Sequence, residues 1–365
     1  MDSHLIRKSL VTAVVAALAL TMGCSKDEEK KASDGKKPAA SAQAKASGGA
    51  SAAKKDAPKT TAKGAAGAAH AHLSKDCDVV AYINITSILQ ATPIKTHVVP
   101  ALEEMKKAEP KKEDDKSFKA FLEETGIDPL KDFHAAAVCV TNVKAATTGG
   151  GEPDMSFILS GNLKKDAVVP AVIKTGKKDK FKETEVAGMK VLSDKAGDIF
   201  LGQATDGAVI VGKSSAAFEA ALKTTDAAAS VYKLPLDKSV SIVVPAKTIS
   251  MAMEAGGKDN PFKDSAGKAG RAAIVVDVKA GTIEVRISMT EDKAATELAG
   301  VAKLLLGQMT KAPPAPGPEG MAMQFLKDAK IESVGKDFVA TVTIPQKALE
   351  DLAKEMAKGI KSEMK

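Results

Sequence analysis

Cys77 and Cys139 are the residues whose chemistry the sequence states most directly. Each lies in an apolar run, CDVVAYINI and AAAVCVTNV, of the kind that forms buried strands. In an oxidising compartment two such residues either form a disulfide or remain a pair of buried thiols, because free cysteine packs as a small apolar side chain. Methionine supplies the next pattern. Met251-Ala-Met253 and Met321-Ala-Met323 repeat a thioether spacing that can bind Cu(I). On a helix, residues two apart point to nearly opposite sides, so Met251, Met253, Met321 and Met323 are weak copper candidates and serve better as flexible core filler. His70 and His72 stand close together, but at the end of a flexible segment and without the further fixed ligands of a metal site. His97 falls in a helical stretch and His134 opens a strand. Ser265-Ala-Gly-Lys268 and Lys174-Thr175-Gly176 match fragments of serine acyl-transfer motifs, in the wrong order and with no third element between them. No metalloprotease helix, phosphate loop or dinucleotide fingerprint occurs. The expectation is a chain that is not an enzyme and carries no cofactor and no metal.

The third cysteine belongs to a different pattern. Arg7 and Lys8 precede an apolar run from Leu10 to Leu20, which exits through Thr21-Met22-Gly23-Cys24. Charge, apolar core and small-residue exit are the parts of an export signal, and the run is too short for a permanent membrane span. The closing residues resemble the lipobox of bacterial lipoprotein precursors, with Gly23 and Cys24 matching that pattern. The resemblance implies that residues 1–23 are a signal peptide and that Cys24 is the lipidated first residue of the mature chain. Multiple acyl chains, such as palmitate, hold a protein far better than one, which anchors only marginally. Ser25 stands where the family's retention signal has Asp. In a cell with two membranes this implies the outer membrane, facing the periplasm or the surface.

From Ser25 to His72 there is no large apolar residue at all, only Ala, Lys, Ser, Gly and other small or polar types. Such a stretch has nothing to bury against the entropy of ordering, so residues 24–72 read as a lipidated, disordered tether. Its root-mean-square span is about 40 Å. The first 76 residues hold six of the seven net positive charges, which leaves the remainder near neutral. Only Arg7, Arg271 and Arg286 are arginines, so the bidentate forks suited to phosphate contact are nearly missing and nucleic acid is a poor partner. Aromatics are 3% of the chain, which argues against stacking platforms for bases or sugars.

Elements to position these residues follow from the apolar periodicity. Asp78–Ile85 reads as a buried strand. Ile94–Ala108 reads as a helix interrupted or restarted at Pro100, followed by a charged loop at Lys111–Lys116. Ser117–Thr125 reads as a short helix with Gly126 as its left-handed cap. His134–Val143 and Met155–Leu163 are strands and Lys164–Lys174 is a helix. Glu185–Ser193, Asp198–Gln203 and Ala208–Val211 are further strands, and Ser214 or Ser215 caps a helix reaching Lys223. The turn GIDPLKD, Gly126–Asp132, is similar to one found in uncharacterised envelope α+β lipoproteins.

The second half replays the first. Asp76-Cys-Asp-Val79…Ile83 has the spacing of Asp237-Lys-Ser-Val240…Val244, and AVIVGKSSAAFEAAL (208–222) resembles FVATVTIPQKALEDL (338–352). Strands over Ala272–Lys279 and Thr282–Met289 and a helix over Lys293–Met309 echo residues 134–174. The expected fold is α+β, in two pseudo-repeated halves over 73–226 and 237–365. Each half would be an antiparallel sheet with helices packed on one face, and the two could join into one continuous sheet. The function that fits is an envelope lipoprotein, held at a membrane by its lipid anchor, whose body binds an envelope protein or serves an architectural role. A carrier of a lipid or other apolar ligand in the periplasm is the alternative, and a hydrolase a distant third.

Overall fold

The chain is described from a computed structural model covering residues 68–108, 113–147, 151–175, 181–223, 231–255, 267–309 and 325–363. The leader, Cys24, nearly all of the tether, Ser265, Met321 and Met323 lie outside these residues.

Valine- and alanine-rich runs build the centre. The strands β1 (Val79–Asn84), β2 (Phe133–Thr141) and β3 (Asp154–Gly161) are the first of the amino-terminal half. Four shorter ones follow: β4 (Phe181–Val186), β5 (Met189–Asp194), β6 (Phe200–Gln203) and β7 (Val209–Gly212). The carboxy-terminal half supplies β8 (Val240–Pro245), β9 (Ala269–Asp277), β10 (Thr282–Met289), β11 (Lys330–Val334) and β12 (Asp337–Thr343). All twelve form a single sheet in the order β11-β12-β10-β9-β8-β1-β2-β3-β7-β6-β5-β4. Every described pairing is antiparallel.

The repeat is visible in this order. Reading outward from the middle, β1-β2-β3-β7-β6 matches β8-β9-β10-β12-β11, and the β4–β5 hairpin extends the first half alone. The two halves meet through their first strands. In that seam Ala81 lies directly opposite Ile242, the two positions that the repeated spacing makes equivalent, so a local pseudo-dyad passes between them. The α+β class, the two repeated halves and the continuous sheet are as the sequence predicts.

Helices α4 (Glu113–Thr125) and α6 (Val168–Thr175) cover one face of the first half, where Phe121, Leu122, Val168 and Val172 pack with Leu159 and Val209. On the same face of the second half, α8 (Ala246–Ala255) and α9 (Asp292–Met309) pack over Ile287, Phe338 and Ile331. The second face of the first half is covered as well. There α1 (Ala68–Ala71) and α7 (Ser215–Leu222) bury Ala69, Leu73, Phe218 and Ala221 against Tyr82, Ile158 and Ile210. After β1 the chain forms α2 (Ile85–Gln90), a π-helical turn at Ile94–Val98 and α3 (Val99–Lys107), which opens with Pro100 where no amide proton is needed. The last helix, α10 (Gln346–Glu363), packs on that turn and on α3, joined at its end by Lys361 to Glu104 at 2.9 Å.

Two local expectations are corrected. The charged run at Lys111–Lys116 is not all loop, because Glu113, Asp114 and Asp115 begin α4. Acidic residues suit the first turn of a helix, where unpaired amides leave partial positive charge. The single strand expected over Glu185–Ser193 is a hairpin, broken at Ala187 and Gly188, whose φ angles of 51° and 79° make a two-residue turn of the kind that joins twisted antiparallel strands.

Candidate functional site

The densest convergence of polar groups from distant parts of the chain is where the tether becomes the body. Order begins before Leu73, the residue at which the sequence reading places it. Residues Ala68–Ala71 already form α1, and the small Ala69 seats completely in the core. His72, expected to be a solvated linker residue, is 3% exposed. Its Nδ1 lies 3.0 Å from the Ala221 carbonyl at the end of α7, and its Nε2 lies 2.9 Å from Asp206 Oδ2 in the β6–β7 turn. Each ring nitrogen therefore faces an oxygen atom of the body. Burial would raise the Asp206 carboxyl, but the hydrogen bond and charge of His72, together with the Ala208 amide, hold it below its ordinary value.

Five residues further on the chain is fastened again. The Sγ atoms of Cys77 and Cys139 are 2.02 Å apart, with Cα atoms separated by 5.4 Å, so the residue entering β1 is bonded to the middle of β2. Tyr232 closes the arrangement from the link between the two halves. Its hydroxyl accepts the Cys77 amide proton at 2.8 Å and donates to the Ser74 carbonyl at 2.9 Å. Burial, reinforced by Asp76 and Asp78, pushes this phenol up to about 12. It therefore stays neutral and keeps its donor at any physiological pH. Asp78 adds the last ties: its carboxylate accepts the amide of Val143, which opens α5 (Val143–Thr147), at 3.1 Å, and its carbonyl accepts from Thr248 Oγ1 at 2.8 Å. Within eleven residues, contacts reach α7, β2, the β6–β7 turn and α8.

Beside the disulfide is a cavity of about 170 Å³, walled by Cys139, Ser74, Thr141, Asp154 and Ser156 and by alanines of α7. That volume falls below the several hundred cubic ångströms of ordinary ligand pockets. Ser214 at its edge is a helix cap: its hydroxyl donates to Asp154 Oδ2 at 2.6 Å and accepts the Ala217 amide at 3.0 Å. Among the described residues no group of three or more His, Cys, Asp or Glu could hold a metal ion. Met251 is half-buried in α8, and Met253 follows on the same helix. His97 lies in the π-helical turn and His134 in β2.

The sequence reading found Cys77 and Cys139 but not His72, Asp206 or Tyr232 as their neighbours. Tyr232 carried a usable signal, being one of 2 tyrosines and so a natural candidate for a buried hydroxyl with assigned partners. Nothing in sequence ties His72 to an aspartate in a turn 134 residues away.

No family model matches the chain, and no curated protein matches it. Among solved structures, crystal form III of TP0453 is 10% identical, with 80% of this chain and 97% of that chain covered and a TM-score of 0.41. Crystal form I of TP0453 is also 10% identical, covering 81% and 97% at a TM-score of 0.34. Among the described residues no helix is long and apolar enough to cross a membrane.

Proposed function

We propose that the chain is a lipid-anchored envelope lipoprotein whose body binds or braces another envelope component and catalyses nothing. Residues 1–23 direct export, Cys24 carries the acyl chains, and Ser25 permits sorting to an outer membrane. The observation that carries the reading is the junction. A body held by a lipid has to transmit whatever pulls on it through the first ordered residues, and here those residues are fixed by burial, a histidine–aspartate hydrogen bond, a disulfide and a tyrosine bridge. A body working free in solution has no use for such a fastening on a segment followed by nothing but small and polar residues toward its anchor.

The test is metabolic labelling with radioactive palmitate followed by membrane fractionation. Label on the wild-type chain, lost in Cys24→Ala together with membrane attachment, is the expected result. An unlabelled chain, or a Cys24→Ala form equally membrane-bound, would remove the anchor from the account. Crosslinking in intact envelopes should then capture a protein partner through the body.

A further inference from the structure

The internal repeat has already joined two sheets edge to edge across a dyad, at Ala81 and Ile242. The outer edge of the second half is built to do so again. In the first half β6 has a neighbour on its outer side, where Leu192 of β5 sits opposite Leu201 and Ser193 opposite Phe200. The equivalent strand of the second half is β11. The equivalence follows through the ladder, since Leu201 opposes Val211 as Ile331 opposes Ala340. Among the described residues nothing pairs with the outer side of β11, which ends the sheet.

What would fit there is written in three residues, Lys330-Ile331-Glu332. A dyad normal to a sheet keeps side chains on their own faces, so it can oppose only residues that share a face. Centred on Ile331, it sets Ile331 against its own copy and each Lys330 against the other copy's Glu332. Opposite charges directly across two strands stabilise the pair, and like charges destabilise it. Both charged side chains are available: Lys330 is 71% and Glu332 40% exposed, and they now pair with each other at 2.9 Å. Ile331 lies on the other face, packed with the α9 cluster, so the new pair would continue that core.

The opposite edge of the sheet does not have this property. Along β4, whose sequence is FKETEV, every two-fold register centred from Lys182 to Glu185 sets Lys182, Glu183 or Glu185 against itself, or Glu183 against Glu185. Charge there protects the edge in the usual way. Above β11, Thr296 Oγ1 of α9 meets Ser333 Oγ at 3.3 Å, and on the same flank an added Cβ at Gly300 would meet nothing among the described residues.

We propose that β11 is a self-pairing edge, through which a second copy of this chain adds antiparallel about Ile331 and extends one sheet across both molecules. The test is sedimentation of the full chain in a mild detergent across a concentration series. Wild type should move from monomer to dimer mass. Lys330→Glu and Glu332→Lys should each remain monomeric alone, because each places like charges opposite one another. Mixed together they should form a heterodimer, since one chain then presents two acids and the other two lysines. A wild-type chain monomeric throughout the series would overturn the proposal. So would dimers that persist in either single variant, or a mixture that stays monomeric.

Discussion

Opening the Cys77–Cys139 bond releases a loop with a sequence separation of 62 residues. Closing a loop of that length restricts the unfolded chain by about 14 cal/mol/K, equivalent to about 4 kcal/mol at 25 °C. The folded state should lose little beyond this, because the β1–β2 ladder keeps its six opposed pairs from Val79↔Val140 to Asn84↔Ala135, and Tyr232 still holds the Cys77 amide. Reduction should therefore lower the folded-to-unfolded ratio about a thousandfold while the native fold persists. Urea unfolding with and without reductant measures this as a drop in midpoint, with a slope that rises modestly because the released loop leaves a more expanded unfolded chain. The Cys77→Ala/Cys139→Ala chain, insensitive to reductant, should match the reduced wild type. Mass spectrometry of non-reduced peptides should recover the two cysteine peptides linked. Coincident midpoints, or two alkylatable thiols before any reductant is added, would refute the reasoning.

Two further expectations concern the same neighbourhood and the turn behind it. The Asp206 carboxyl is depressed in the folded state by His72 and by the Ala208 amide, against the opposing effect of burial. Its stabilisation is thus present above the unfolded-state value near 3.9 and is lost as pH falls through the lower folded-state value. Acid unfolding followed by circular dichroism should show wild type losing its advantage over Asp206→Asn across that interval, and parallel curves would mean that the pair contributes nothing. At Gly161 an added Cβ would sit 1.7 Å from the Asp132 carbonyl oxygen, which is itself held by the Asn162 amide at 2.8 Å. Gly161→Ala should cost at least about 3 kcal/mol, whereas Gly359→Ala, in an exposed stretch of α10 with open space around it, should stabilise by about 0.5–1 kcal/mol. Thermal melts of the two variants would separate these outcomes.

The parts of the fold that were legible in the sequence are those that depend on neighbours in sequence. Val79–Asn84 is a strand because a short, nearly continuous apolar run suits a strand buried in a sheet, and Ser214 precedes a helix because its hydroxyl can cap the Ala217 amide. Gly126, at φ 67°, ends α4 as its position suggests. The GIDPLKD turn is likewise local: Asp128 accepts the Leu130 amide, and its carboxyl is held low first by the Lys106 ammonium. The repeat, weak at any one residue, revealed the two matching halves because spacing is preserved where side chains are not. What stayed illegible was long-range and polar. His72 looked like a linker residue because the segment before it is alanine-rich, and a short alanine helix carries no periodic signal. Its burial depends on two oxygen atoms supplied by a turn and by a helix end. The hairpin at Ala187-Gly188 was missed because Val186 and Met189 read through the turn as one apolar run.

The place of β1 in the sheet has a mechanical consequence. It is the sixth strand of twelve, so a tug on the amino-terminal segment arrives at the middle of the raft. An edge strand can be peeled away one bond at a time. A central one must be sheared from both flanks together, and here load that has passed the His72 contacts crosses by covalent sulfur to a second strand before any hydrogen bond of the β1 ladders has to yield.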